Sequence, residues 1–196
     1  NTKKSGNKNH FFSQFVKKFQ GQANSDNELT VSLQRVSNKK YLKLYKIKRD
    51  LIDYEKEVLE NSLSFSHEND DLFVGLKASL FEDLTETNKN DEYEYILPDI
   101  ILDKNLFSSN KFGYADLQTN LVVHNYETNK LTKFFINDID WKHKEFSFSN
   151  GLIGRFLGKL RNVNYEAKNT EIFKDNTTNE LFGAIGYLSK MDLYKD

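Results

Sequence analysis

The chain has 196 residues, of which 38% are hydrophobic and 29% charged, and its formal net charge is -1. This balance lacks the basic excess typical of nucleic-acid-binding proteins, so no nucleic acid is expected as a partner. No run approaches the roughly 18 consecutive apolar residues that a membrane helix needs, and the N-terminal segment lacks the pattern of a signal peptide.

A polar composition does not exclude membrane strands. A transmembrane β-strand alternates apolar and polar residues over about 9 to 11 positions, so the mean hydropathy of -0.69 is compatible with a barrel. The chain contains no cysteine, which rules out disulfides and thiolate metal sites within it. It begins at Asn1 without a methionine, and we expect it to be a portion of a longer protein.

The first clear strand pattern is ELTVSLQRV, residues 28–36. Leu29, Val31 and Leu33 share one face, and Thr30, Ser32 and Gln34 share the other. A period of two over this length is typical of a strand with one apolar face.

Two further alternating segments lie close together in the sequence. They are VLENSLSFS (58–66) and DLFVGLKASLF (71–81), and the residues HENDD connect them. This short polar connection predicts a β-hairpin. In the second segment Leu72, Val74 and Leu76 share one face, and Lys77 lies on the other.

The segment that connects the strand at 28–36 to the strand at 58–66 has a different pattern. In KKYLKLYKIKRDLIDYEKEVLE, residues 39–60, helical spacing of apolar residues competes with alternation. It predicts a strand end followed by an extended or partly helical link.

The single proline, Pro98, follows EYEYI in DEYEYILPDI. We expect it at the end of a strand, where its missing N–H costs no central ladder bond. The tyrosines before it, with Phe107 and Tyr114, are either part of an aromatic girdle or filling for a soluble core.

Residues 113–141, GYADLQTNLVVHNYETNKLTKFFINDIDW, also alternate. Leu117 and Leu121 lie on one face, whereas Gln118 and Asn120 lie on the other. The segment ends in a pair of acids, Asp138 and Asp140, which share a face because they are two residues apart.

The last alternating segment carries a row of cations. In GLIGRFLGKLRNVNY, residues 151–165, one face contains Leu152, Phe156 and Leu160, and the other contains Arg155, Lys159 and Arg161. Asn-, Asp- and Thr-rich links join the segments, and no helix long enough for a parallel crossover lies between them. The sequence therefore predicts an all-β, antiparallel meander.

The ordered set of LQRVSNKKYLKLYKI, SLSFSHENDDLFVGLKASLFEDL, DEYEYILPDI, FINDIDW, GLIGRFLGKLRNVNYEAKN and ELFGAIGYLSKMDL resembles the barrel region of the lipopolysaccharide-assembly outer-membrane protein, the LptD or OstA family. The resemblance covers nearly the whole chain. It implies that residues 1–196 are a middle part of an up-and-down transmembrane β-barrel in the bacterial outer membrane, and that this part alone is an open, curved sheet.

The family resemblance also implies partners. In that family the barrel delivers lipopolysaccharide to the outer leaflet, a small lipoprotein of the LptE type plugs the lumen, and a periplasmic domain receives cargo from a transport bridge protein. The periplasmic domain, the lateral gate and the inter-domain disulfides of the family have no counterpart in these residues.

An oily sheet face in lipid requires a closed barrel, because every backbone N–H and C=O must be paired within the sheet. The expected lipid-facing residues are Leu29, Val31, Leu33, Leu72, Val74, Leu76, Leu117, Leu121, Leu152, Phe156 and Leu160. The expected lumen-facing contacts for cargo or plug are Arg155, Lys159, Arg161, Asp138, Asp140, Lys77, Gln118 and Asn120.

Two interpretations of the basic row stay open. Its cations either contact anionic lipopolysaccharide or the plug, or they pair with Asp138 and Asp140 on the neighbouring strand. The four scattered histidines, and the absence of a phosphate loop or nucleophile motif, predict no enzyme, no cofactor and no metal site. Two other classes compete with lipopolysaccharide transport: an unrelated porin or receptor barrel, and a soluble β-rich adhesin or binding module.

Overall fold

The chain folds into one large antiparallel sheet with little helix. The computed structural model describes residues 8–127 and 129–191, so Thr128 and both ends of the predicted domain lie outside it. The strands are β1 His10–Gln20, β2 Asp26–Val36, β3 Lys48–Arg49, β4 Ile52–Asp53, β5 Val58–Glu68, β6 Leu72–Asp83, β7 Tyr93–Ser109, β8 Gly113–Tyr126, β9 Lys130–Lys142, β10 Phe146–Ser147, β11 Leu152–Lys168 and β12 Thr178–Met191. Helix is limited to a 3-10 turn, Gln22–Asn24, and α1, Tyr41–Tyr45.

Ten of these strands form one sheet in which strands adjacent in the chain pair with each other. The order is β1-β2-β5-β6-β7-β8-β9-β11, with β12 on the far side of β11 and the short β10 beside β11. Every pairing is antiparallel. The predicted all-β class and antiparallel meander are confirmed, and so is the hairpin of β5 and β6.

The sheet is open. Within the described residues β1 pairs only with β2, and β12 pairs along one edge with β11, so the first and last strands each leave a free edge. Nearly every residue of these two strands is exposed. Unpaired N–H and C=O groups along such edges are a template for further strand pairing.

The links between strands differ at the two ends of the sheet. One end, called here the long-link end, carries residues 37–57, 84–92, 127–129 and 169–177. The opposite, short-turn end carries residues 21–25, 69–71, 110–112 and 143–151. Its turns are held locally: the Asn69 side-chain oxygen, for example, accepts the N–H of Leu72 at 2.9 Å.

Residues 37–57 fold into a small cap at the long-link end. Helix α1 ends at Tyr45, its C-cap residue Lys46 has a φ of 48°, and β3 and β4 follow as a short hairpin. The predicted partly helical link is therefore confirmed. Leu42 is 1% exposed and packs in a cluster of buried side chains with Val36, Ile52, Leu59 and Leu84.

The cap cluster contains most of the buried hydrophobic residues of the described chain. Outside it only Ala115 and Ala167 are buried hydrophobics, whereas thirty large hydrophobic side chains are exposed. The sheet therefore has no second layer packed on it within the described residues. No helix in that part of the chain has the length and apolar character to cross a membrane.

Pro98 lies inside β7, so the prediction that it ends a strand is wrong. Strand β7 runs on to Ser109, and the peptide bond between Leu97 and Pro98 is cis. The register with both neighbouring strands shifts at this point. A β-bulge leaves residues out of the ladder, so the missing N–H is accommodated without ending the strand.

Candidate functional site

The strand register divides the side chains of the sheet into two faces. Residues directly opposite each other on neighbouring strands point to the same side. One row of such partners crosses the sheet from β2 to β11: Leu29, Phe65, Leu76, Ile100, Leu121, Phe135 and Asn164. Every second residue along each strand shares the face of this row, except where a bulge interrupts the count.

The face of this row is called here the apolar face. It contains all the residues that the sequence analysis grouped as lipid-facing: Leu29, Val31, Leu33, Leu72, Val74, Leu76, Leu117, Leu121, Leu152, Phe156 and Leu160. They come from four strands, β2, β6, β8 and β11, and the register through the strands between them places them on one side of the sheet. Their contact with lipid stays a prediction.

The opposite side is called here the polar face. It contains all the residues that the sequence analysis grouped as lumen-facing: Lys77, Gln118, Asn120, Asp138, Asp140, Arg155, Lys159 and Arg161. Gln118 lies directly opposite Asp138, and Asn120 lies opposite Ile136. Contact of these residues with cargo or with a plug protein also stays a prediction.

Exposure differs between the two faces in the middle of the sheet. On the polar face Ser79, Thr132 and Asp138 are only 7%, 5% and 4% exposed. On the apolar face the larger side chains Leu63 and Phe156 are 52% and 44% exposed. Side chains crowd together on the inside of a curved sheet and spread apart on the outside, so the polar face is the concave one.

The strongest ion pair of the polar face joins β9 and β11. Arg161 lies directly opposite Asp138 and donates from Nε and Nη2 to the two carboxylate oxygens at 2.6 and 2.7 Å. This is the planar, bidentate geometry that arginine forms with a carboxylate. Asp138 is buried, so the pair is more than a loose surface contact.

The rest of the basic row is also paired with acids. Lys159 lies opposite Asp140, with 3.4 Å between Nζ and the carboxylate. Arg155 instead contacts Glu145 at 2.5 Å, and Lys190 reaches the same carboxylate at 3.4 Å.

The structure therefore corrects the pairing alternative for one of its three cations. That alternative assigned the whole row to Asp138 and Asp140, but the pairing of β9 with β11 ends at Lys142, opposite Leu157. Arg155 lies beyond this point, where residues 143–151 turn back and bring Glu145 within reach. A loop conformation decides this partner, and alternation along strands gives no signal of it.

Lys77 has an acid partner as well. Its Nζ lies 2.8 Å from the carboxylate of Glu60, which is on β5 four residues before Ser64, the direct partner of Lys77. Both side chains are about two-fifths exposed, so the pair contributes little on its own. Each cation that the sequence analysis placed on the polar face thus has a carboxylate beside it.

Polar residues form a border of the apolar face toward the long-link end. In β2 it lies at Arg35, six residues past Leu29 of the central row, and in β6 at Glu82, six residues past Leu76. In β9 it lies at Lys133, only two residues past Phe135. In β11 the border lies at Asn162, two residues on the other side of the central row, because Asn162 and Asn164 are both polar.

Beyond this border, β11 keeps polar residues on the same side of the sheet. Glu166 follows Asn164 and forms ion pairs with Lys133 and Lys168, both at 3.0 Å. Toward the short-turn end this face is apolar at Leu72 and Leu152, but it also carries Lys104 on β7 and the hydrogen-bonded pair of Thr119 and Asn137. The apolar region is therefore a band that runs obliquely across the strands.

An aromatic cluster on the apolar face escaped the sequence analysis. Phe146, Phe156 and Tyr187 have ring centroids 5.2 to 6.2 Å apart, and His143 packs edge-on against Phe156. Small residues make room for these rings, since a Cβ built on Gly154 would lie 2.2 Å from the Tyr187 hydroxyl. Glycines in an alternating strand, together with aromatic residues in the neighbouring segments, are the sequence pattern that indicates such a cluster.

The tyrosines before Pro98 lie at the opposite end of the sheet from Phe107. Tyr95 is level with Leu80 near the long-link end, whereas Phe107 is level with Ala115 at the short-turn end. Tyr114 pairs with Lys142 on the polar face. These aromatics therefore do not form one continuous group.

Within residues 8–127 and 129–191, no group of three or more His, Cys, Asp or Glu side chains is arranged to hold a metal ion. No protein-family model matches the chain, and no curated protein matches it.

Proposed function

We propose that this sheet is part of the wall of an outer-membrane β-barrel, with its apolar face against lipid and its polar face toward the lumen. The observation that carries the proposal is the oblique border of the apolar band. In an upright barrel the strands are tilted by about 35–45°, so a band of constant height must cross them at that angle.

The slope of the border matches this tilt. From β2 to β11 the border falls by about eight residues, or roughly 26 Å at about 3.3 Å per residue. The same path crosses six strand spacings of about 4.8 Å, or roughly 29 Å. The resulting angle is about 40°. A soluble sheet that packs against another layer has no reason to keep its apolar border at this slope.

The uncovered apolar face supports the same proposal. Monomeric soluble proteins rarely expose contiguous apolar patches larger than a few hundred Å². Here Leu63, Leu76 and Phe156, on three different strands, are 52%, 41% and 44% exposed on one face. Contact with acyl chains removes this surface from water, and closure by further strands pairs the free edges of β1 and β12.

Within this class we propose transport of lipopolysaccharide to the outer leaflet, as the resemblance to the lipopolysaccharide-assembly family implies. The ordered motifs, from LQRVSNKKYLKLYKI to ELFGAIGYLSKMDL, support this choice. The last motif ends at Leu193, just outside the described residues. The partners are lipopolysaccharide, a plug lipoprotein in the lumen, and the transport bridge protein through a periplasmic domain.

The ion pairs define the role of the polar face in this proposal. Because each cation of the row contacts a carboxylate, the row mainly joins β11 to β9 and to the 143–151 connection, which stabilises the wall. A hydrated surface of paired charges lets polar material pass without a strong binding site. The concave face thus acts as lining for the lumen.

A depletion experiment separates the candidate functions. Cells depleted of the protein should retain lipopolysaccharide on the inner side of the outer membrane and in the periplasm. The amount at the cell surface should therefore fall, and its accessibility to an added modifying enzyme measures this fall. Loss of solute uptake with normal lipopolysaccharide exposure would instead indicate a porin or receptor. Recovery of the protein in the soluble fraction without detergent would contradict the membrane wall and favour an adhesin.

A further inference from the structure

The two ends of the sheet differ in how much chain lies outside the apolar band. At the long-link end, residues 37–57 are the longest connection, and residues 84–92 and 169–177 are connections of nine residues each. At the short-turn end, residues 69–71 and 110–112 merely reverse the chain direction, residues 21–25 form a five-residue turn, and the longer connection 143–151 contains β10 and lies beside β11. In outer-membrane barrels the turns on the periplasmic side are short and the loops on the exterior side are longer.

The long links are folded. The cap made by residues 37–57 is held by the buried cluster around Leu42. It is also joined to the next long link, because the Lys39 ammonium donates to the Glu86 backbone oxygen at 2.8 Å and lies 3.2 Å from Glu92. Two residues of β1 also contact the cap. The His10 ring packs against the Tyr41 ring, and Phe12 packs against the buried cluster. The cap is therefore a folded structure that packs against side chains of β1, β2 and β5.

The strands themselves extend beyond the band at the same end. The apolar face of β11 carries Asn162, Asn164, Glu166 and Lys168 in succession past the band. Charged side chains on a lipid-contacting face cost several kcal/mol near the bilayer midplane and little near its surface. The Glu166 ion pairs thus place this part of β11 in water.

We propose that the long-link end faces the cell exterior and that residues 37–57 and 84–92 together form a surface cap there, while the short-turn end faces the periplasm. This inference rests on the proposed barrel wall and adds its direction in the membrane. It makes the cap, and not the short turns, the part of this segment that meets the medium.

Single cysteines provide the test, because these 196 residues contain none. Asn90→Cys in the 84–92 link and Asn110→Cys in the 110–112 turn are matched variants, since both replace an exposed asparagine in a connection. Intact cells that express the whole protein are treated with a membrane-impermeant maleimide, and labelling is repeated after the outer membrane is opened. The unsubstituted protein gives the background, and labelling in detergent shows that both thiols react.

The expected result is labelling at position 90 in intact cells and at position 110 only after opening, with at least a tenfold difference in initial rate. Labelling at position 110 alone would overturn the direction while leaving the membrane-spanning wall intact. Equal labelling at both positions in intact cells, or at neither, would contradict the wall itself. The failure of the direction and the failure of the proposed function are therefore distinguishable.

A second pair guards against a local effect of either substitution. Lys40→Cys lies on the cap, and Ser149→Cys lies in the 143–151 connection; both positions are exposed. The same division between intact and opened cells is expected. If position 40 were protected in intact cells while position 90 reacted, the cap would not be a surface feature and that part of the proposal would fail.

Discussion

Replacing Leu76 by arginine tests which solvent the apolar face contacts. Leu76 lies in the middle of the apolar run of β6, with Phe65 and Ile100 directly opposite on the neighbouring strands. Two apolar face members follow it on each side, from Leu72 to Leu80. At about 3.3 Å per residue and a tilt of about 40°, each end of the run lies roughly 10 Å above or below Leu76. This places Leu76 near the midplane of a hydrocarbon core about 25–30 Å thick.

The expected cost depends on the solvent. In a barrel in lipid, an arginine at the midplane costs about 2–4 kcal/mol. That corresponds to a roughly 30- to 1,000-fold loss in the folding equilibrium. In a soluble sheet the same change costs only about 0.5 kcal/mol, because Leu76 is already 41% exposed to water there. The two environments therefore predict clearly different results.

Thr30→Arg is the matched control. Thr30 lies on the polar face in β2, opposite Ser64, and its hydroxyl donates to Glu28 at 3.3 Å. The register puts it within one step of the central row that contains Leu76. An arginine at this position stays in water and gains an acidic neighbour, so it should change the stability by less than about 0.5 kcal/mol.

The assay is urea-induced unfolding of the whole protein in phospholipid vesicles, followed by tryptophan fluorescence. The Leu76→Arg protein should unfold at a clearly lower urea concentration, or fail to insert, whereas Thr30→Arg should behave like the unsubstituted protein. Similar midpoints for all three proteins would refute the placement of the apolar face in lipid.

Three further predictions concern single positions. Gly113→Ala should destabilise the sheet by about 1–3 kcal/mol in urea titrations, since its φ is +80° and a Cβ would lie 2.0 Å from a backbone oxygen of β9; Gly151→Ala, with φ +83° and open space, should cost less. Asp138→Arg should cost about 1–2 kcal/mol, and adding Arg161→Asp should restore most of it; a double variant as unstable as the single one would contradict a pairwise contact. The backbone N–H of Glu55 and the ammonium of Lys48 donate to the Asp53 carboxylate in the cap and lower its pKa from the ordinary 3.8. The charged carboxylate therefore stabilises the cap above about pH 4, and this stabilisation is lost as the pH falls further. Hydrogen exchange of the β3–β4 hairpin should show this loss on acidification, and Asp53→Asn should remove the pH dependence.

The two-faced strands were predictable because alternation is local. Leu29, Val31 and Leu33 fall on one face in any strand conformation, whichever strand pairs with them. The meander followed from the polar links, because none of them contains a helix long enough for a parallel crossover. Face membership across strands then depended on register, and the register turned out to bring all the apolar groups to the same side.

Features that depend on register or on loop conformation were not predictable. A proline rule based on regular ladders placed Pro98 at a strand end, but a bulge accommodates it inside β7. Arg155 finds Glu145 only because residues 143–151 fold back beside β11. The cap around Leu42 depends on contacts between two links and the ends of three strands, which no periodic pattern encodes.

The slope of the apolar border shows why sequence and register must be combined. In any single strand the border is one polar residue, such as Arg35 or Lys133, and it has no direction. Only the register makes heights on different strands comparable, and it shows a border that is level on β2 and β6 and lower on β9 and β11. The tilt is therefore a property of the whole sheet, and it depends on the position of one border residue in each of several strands.

The geometry of the basic row ranks its members as contacts for an anionic ligand. A phosphate that approaches the polar face must compete with the carboxylate already beside each cation. Arg161 is held by two short bonds to a buried partner, whereas Lys159 lies 3.4 Å from Asp140, and both of these groups are nearly half exposed.

Exchanging its carboxylate partner for a phosphate therefore costs Lys159 the least free energy of the row. If the polar face lines the path of lipopolysaccharide, we expect Lys159 to be the residue of the row that contacts it. A photoreactive amino acid at position 159 should crosslink to lipopolysaccharide in cells more than five times as strongly as one at position 161. Equal crosslinking at both positions would mean that ion-pair strength does not control access. The absence of crosslinks at both would leave the row with a purely structural role in the wall.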